Sequence, residues 1–180
     1  IMGKTPMKAV GMGGRQVRKG AEHGEIYDHH AVEYIYDDGT RMHSQCRHQK
    51  QVWSSVSEHV HGSGGTCNVG AGRIETYGGD KWRFEGKDSD AYQREHDVLF
   101  EAIRTGREHN EAIRGAEATM TAILGRMATY TGRAITWDEA LNSTRLLRPD
   151  GELTWNTIPR SLPGSDGLYP IPTPGVYKID

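Results

Sequence analysis

The sequence predicts an α+β fold, an open and mostly antiparallel β-sheet with two long helices and a short one packed on one face. Three observations carry that expectation. Residues 1–88 hold short runs rich in β-branched and aromatic residues, separated by Gly- and Asp-rich turns, which is the signature of an antiparallel meander. Residues 89–143 instead show apolar residues in steps of three and four, the helical period. All the strand-like runs precede the helical ones, so the layers are segregated rather than built from alternating β/α units. The organisation expected is a single domain over 1–180, with 1–88 as sheet, 89–143 as helices and 144–180 as an extended Pro-rich arm.

The first strand is expected over Lys8 to Met12, running into a loop with two adjacent glycines and two arginines. Gly11 and Gly13 suggest the start of a dinucleotide fingerprint. However, Gln16 stands where its third glycine belongs and no amphipathic helix follows, so the glycines are read as letting the strand bend. Glu25 to Tyr36, the turn Asp37-Asp38-Gly39 and Thr40 to His48 form a hairpin signal. Val32, Tyr34 and Tyr36 share one face of it and Ala31, Glu33 and Ile35 the other, as in a sheet covered on one side. Val52 to Val69 supplies a strand pair around Gly62-Ser63-Gly64-Gly65. Arg73 to Tyr77 and Lys81 to Glu85 supply another across Gly78-Gly79-Asp80.

Tyr92, Leu99, Phe100 and Ile103 form the stripe of the first helix; Ile113, Ala116, Met120, Ile123, Leu124 and Met127 form that of the second. Asp90 and Asn110 are placed to cap their starts, Gly106 and Gly132 to end them in a left-handed residue. Thr136 with Glu139 is a capping box for a third, short helix. Burying each large apolar side chain is worth roughly 1.5–3 kcal/mol, so both stripes are expected to lie on the upstream sheet, with Phe100 bridging the two layers. The arm is expected to pack through Trp155, Leu162, Leu168 and Tyr169.

At 180 residues, 35% hydrophobic, 26% charged and net charge -2, the chain carries no basic footprint for nucleic acid and no apolar run long enough for a membrane span. Cys46 and Cys67 are too few for a disulfide framework; they read as free buried thiols, with one bridge left geometrically open. Among the nine histidines, His59 and His61 share a strand face, and Glu58, His29, His30, His43 and His48 are candidates to complete a cupin-like metal site. Their spacing lacks that motif and two long helices do not suit it, so no metal ligand is assigned. Arg15 and Arg18 sit on the glycine-rich loop as paired-donor groups for a carboxylate or phosphate. His96 shares a helix face with Tyr92 and Leu99 and reads as a packing residue, and no serine or cysteine stands in a nucleophile setting.

Taken together, GMGGRQVR (Gly11 to Arg18), GEIYDHHAVEYIYDDGTRMHSQCRHQ (Gly24 to Gln49), SEHVHGSGGT (Ser57 to Thr66), the helical run from Tyr92 to Ser143 and the ending DGLYPIPTPGVYK resemble one family. This is the C-terminal domain of the glucose-fructose oxidoreductase / inositol dehydrogenase / rhizopine-catabolism (Gfo/Idh/MocA) oxidoreductases. The resemblance implies a substrate and oligomerisation domain, partnered in the intact protein by an N-terminal Rossmann domain that binds NAD or NADP. It also implies hydride transfer at a hydroxyl-bearing carbon of a sugar, cyclitol or related alcohol, and a homo-oligomer formed through the sheet face. The family's Glu-Lys-Pro and Asp-x-x-x-His motifs are absent from this sequence. No catalytic or cofactor-binding residue is therefore assigned, and the chain alone is expected to be inactive. The chain opens at Ile1 without an initiator Met, so the sequence is expected to continue upstream. Arg15, Arg18 and His29 flank the loop after the first strand and are the candidate substrate contacts. A non-catalytic association module working through the open sheet face is the alternative of another class.

Overall fold

The computed structural model describes residues 2–86 and 90–179. In chain order the elements are β1 (Lys8–Gly14), β2 (His29–Ile35), β3 (Arg41–Arg47), β4 (His59–His61), β5 (Gly65–Asn68), β6 (Arg73–Thr76), β7 (Lys81–Arg83), α1 (Ala91–Thr105), α2 (Ala112–Thr131), β8 (Ile135–Thr136) and α3 (Trp137–Leu141). The fold is α+β with antiparallel sheets, as the order of periodicities predicts. The strands sort into two four-stranded sheets, β3-β2-β1-β8 and β4-β5-β6-β7. Ile1–Lys50 with Glu111–Asp180 forms one compact unit and Gln51–Asn110 a second. Among the described residues no helix is long and apolar enough to cross a membrane.

In the first unit β1 lies between β2 and β8, with Lys8 opposite Ile35, Gly14 opposite His29, and Ala9 opposite both Tyr34 and Ile135. Strict alternation sends Ala9, Val32, Tyr34 and Tyr36 to one face, where they form a core with Leu124, Met127 and Ala128 of α2, Ile135, Ala140 and Ile179. The helix approaches closely because Gly125 faces Tyr34; a Cβ there would lie 2.1 Å from the tyrosine hydroxyl oxygen. Only the second half of the α2 stripe is buried, and Ile113 is 74% exposed. The N-cap of α2 is Glu111 rather than the expected Asn110. Gly132 ends the helix at φ 69°, as the sequence predicts, and the Thr136–Glu139 capping box is complete. The arm is anchored at its end rather than along its length. Gly175 N–H donates to Thr131 O, Ile179 is buried and Tyr177 meets the edge of Tyr130, whereas Trp155 is fully exposed.

In the second unit the hairpins predicted at Gly62–Gly65 and Gly78–Asp80 both form. The strand expected from Val52 begins only at His59; Val52, Trp53 and Val56 before it are all exposed, without the half-buried face on which β-branched and aromatic residues favour a strand. Register aligns Val60, Cys67, Ile74 and Trp82 in one cross-strand row. Asp90 caps α1 by accepting from Tyr92 N–H and Gln93 N–H, and Gly106 closes it at φ 66°. Of this helix only Ala102 is buried. Phe100 is 49% exposed and Ile103 65%, so the ring does not serve as the expected bridge to a covering layer. Both cysteines are free, but Cys46 is exposed and Cys67 half-buried, not the buried thiols expected.

Candidate functional site around Asp28 and His29

The site is made where β1 ends and β2 begins. After Gly14 the chain turns through Arg15–Arg18 and returns at Asp28, so three successive backbone N–H groups converge on one carboxylate. Gln16, Val17 and Arg18 donate to Asp28 Oδ2 at 2.8, 2.7 and 3.0 Å. The other oxygen, Oδ1, lies 2.8 Å from His29 Nδ1. The Asp28 side chain is fully buried. Burial alone would raise its pKa, yet the three N–H groups and His29 outweigh it and hold the carboxyl below the usual range. The carboxylate thus fills a nest of its own chain and orients the imidazole beside it.

The two arginines close the same loop. Arg15 donates from Nη2 to Gly20 O at 2.8 Å, from Nη1 to Gly24 O and from Nε to Arg18 O. Arg18 Nε donates to His48 O at 2.7 Å, while His48 N–H donates to Asp28 O. Arg15, Arg18 and His29 are therefore gathered in one neighbourhood. Every Arg15 guanidinium nitrogen nonetheless serves a main-chain carbonyl. The residue that sequence reasoning missed is Asp28, whose only signal is a carboxylate between Tyr27 and His29 opposite a loop rich in N–H donors.

Alternation separates the neighbouring histidines. His30 points to α2, where Nδ1 lies 2.9 Å from Thr129 Oγ1 and the ring stacks on Tyr130 with centroids 6.0 Å apart. Burial lowers its pKa, aided by the neighbouring His29 and Arg126 side chains. Tyr27 packs at 4.3 Å from Tyr130 and donates from its hydroxyl to Pro172 O, tying the arm to the core. Arg126 lies 4.2 Å over the Tyr130 ring. This inner cluster is filled by its own contacts.

His29 points the other way, to the sheet face that α2 leaves uncovered, and its side chain is 40% exposed. That face carries a shallow depression of about 380 Å³ lined by Val10, Met12, Ala31, Glu33, His43 and Gln45, among others. Glu33 is engaged by Arg41 at 2.7 Å. His59 and His61 lie on β4 in the second unit, and among the described residues no three His, Cys, Asp or Glu side chains gather as a metal site. No family model, curated protein or solved structure matches the chain.

Proposed function

We propose that this chain is the substrate-binding and oligomerisation domain of an NAD(P)-dependent oxidoreductase acting on a sugar, cyclitol or related alcohol, inactive by itself in hydride transfer. The observation that carries the reading is a sheet backed by α2 on one face and open on the other, with an imidazole fixed by a buried carboxylate at the end of the open face. The motif resemblance from Gly11 through the Pro-rich ending supplies the reaction class. Hydride transfer needs a nicotinamide. Both described sheets are antiparallel throughout, and among the described residues there is no parallel βαβ unit to present a helix start to a pyrophosphate. In this proposal NAD or NADP is held by a separate Rossmann domain, and the present chain offers the alcohol.

The test is a fluorescence titration with NADH and NADPH of this chain, beside the same titration of a gene product extended upstream. Cofactor binding and polyol oxidation by the longer protein only are the expected results. Tight cofactor binding by the 180 residues alone, or no turnover of any polyol by the longer protein, would overturn the proposal. A second reading, a non-catalytic association module, is favoured by the apolar row of the second unit, where Val60, Ile74 and Trp82 are 41%, 42% and 54% exposed. Sedimentation of the longer protein, with no turnover but a stable oligomer, would select it.

A further inference from the structure

We propose that His30 is a pH-operated latch on the Pro-rich arm: the neutral ring lets residues 172–177 lie against the first unit, and the protonated ring loosens them. The half-buried imidazole sits between β2 and α2 as one member of an aromatic cluster. Its centroid lies 5.6 Å from that of Tyr27 and 6.0 Å from that of Tyr130. Those two tyrosines are joined to one another, because Tyr27 N–H donates to the Tyr130 hydroxyl at 3.2 Å. They also hold the arm. The Tyr27 hydroxyl donates to Pro172 O at 2.7 Å, and Tyr177 meets Tyr130 edge-on at 5.6 Å. Gly175 N–H donates at 2.7 Å to Thr131 O, on the residue after Tyr130. These three attachments therefore fall on the two rings that contact His30, or on the neighbour of one of them.

The surroundings suit an uncharged ring. Among the described residues the imidazole has one hydrogen-bond partner, Thr129 Oγ1, 2.9 Å from Nδ1. A doubly protonated ring presents two N–H groups and finds an acceptor for one of them. Stacking on a tyrosine favours a cation. The Tyr130 ring, however, already carries the Arg126 guanidinium at 4.2 Å, so an imidazolium would share it with a like charge. The titratable and charged groups around His30 are Asp28 and His29 on its own chain segment, Cys46 opposite it on β3, Arg126 and Tyr130 on α2, and Tyr27 just before β2; β1 contributes Gly13. Of these Asp28 favours the charged ring, but its two oxygens are engaged by three backbone N–H groups and by His29. Burial, then His29 and Arg126, outweigh it. A ring freed by a loosened arm takes its proton at the ordinary value of about 6.5, and the closed one only at lower pH. Attachment is therefore at full strength above about pH 6.5 and weakens as pH falls from there to the closed-state value.

The experiment is NMR of the whole chain from about pH 7.5 to about pH 5, reading the His30 ring signals and the hydrogen-exchange protection of the Gly175 amide. Protection of Gly175, corrected for the intrinsic pH dependence of exchange, should fall below about pH 6.5 and level off once His30 is protonated. Its slope should not exceed about tenfold per pH unit, the limit for one proton. The amide of Val32, in the middle of the sheet, should keep its protection throughout. His30→Gln removes the titration and should make Gly175 protection flat with pH. Arg126→Gln keeps the imidazole but removes the like charge, so the ring should titrate at higher pH and the total loss should shrink. Tyr27→Phe removes the hydroxyl that donates to Pro172 O and should lower Gly175 protection about two- to tenfold at every pH. Wild-type protection that is flat to about pH 5, the same fall in His30→Gln, or a simultaneous fall at Val32 would overturn the proposal. Should His30→Gln not fold, Arg126→Gln decides: an unchanged ring titration with an unchanged loss of protection overturns it as well.

Discussion

Replacing Asp28 by Asn changes one atom and is expected to cost the first unit about 2–3 kcal/mol at neutral pH. Three backbone N–H groups end on Asp28 Oδ2 at 2.7–3.0 Å, and His29 pairs with Oδ1. Hydrogen bonds to a charged group contribute about 1.5–3 kcal/mol each, against about 0.5–1.5 kcal/mol between neutral groups. Neutralising the acceptor therefore loses about 1 kcal/mol per N–H, offset in part by no longer burying a charge. The pH dependence follows from the sign of the shift. The folded pKa lies below the unfolded value of about 3.9. The stabilisation is thus fully present above that value and is lost as pH falls from there through the folded pKa. Urea melts of wild type and Asp28→Asn, followed by the ring signals of buried Tyr34 and Tyr36, read the first unit directly. The gap between the two proteins should hold above about pH 5 and shrink steadily below about pH 4. A gap that is absent at neutral pH, or unchanged down to about pH 3, would refute the account of the carboxylate nest.

Gly125→Ala should destabilise the first unit by about 1–3 kcal/mol, although the same change in an open helix gains about 1 kcal/mol. The added methyl would lie 2.1 Å from the Tyr34 hydroxyl oxygen and 3.0 Å from Cζ, so a double-mutant cycle with Tyr34→Phe should show coupling. Thr136→Ala removes the oxygen that accepts Glu139 N–H at 3.1 Å and should cost about 0.5–2 kcal/mol in thermal or urea unfolding. Phe100→Ala should cost under about 1 kcal/mol, because the ring is 49% exposed beside the Arg104 guanidinium. A denaturation cost of about 3–5 kcal/mol, typical of a buried phenylalanine, would contradict that exposure.

The hairpins, the Asp90 cap, the glycine helix ends and the Thr136–Glu139 box were legible because each is decided by chemistry within a few residues. Strand β8 was not. Two residues, Ile135–Thr136, carry no period, and their pairing with Ala9 and Lys8 exists only once α2 has returned the chain to the sheet. The site divides in the same way. Arg15, Arg18 and His29 stood out as chemically capable groups near one loop, and the structure does gather them. What the sequence left unmarked is that the nearest anion is the chain's own. Asp28 becomes the centre only when residues 16–18 fold back within hydrogen-bonding distance of it.

The two helices show why periodicity finds an apolar face without naming its partner. Both stripes repeat at helical spacing, yet α2 buries its face from Leu124 to Thr131 while Tyr92, Leu99, Phe100 and Ile103 of α1 stay exposed. The difference inside α2 itself is instructive. Its buried half interleaves Gly125 and Ala128 with Leu124 and Met127, and those small residues let the backbone close on Tyr34 and Val32. Its first half also contains small residues, Ala112, Gly115, Ala116 and Ala118, yet Ile113 there remains 74% exposed. Small side chains therefore permit close approach but do not create it. The sheet decides, because β1 and β2 present Ala9, Val32, Tyr34 and Tyr36 only to the stretch of helix that crosses them. A stripe is thus a requirement for burial, and the facing strand pair determines which turns of the helix are covered.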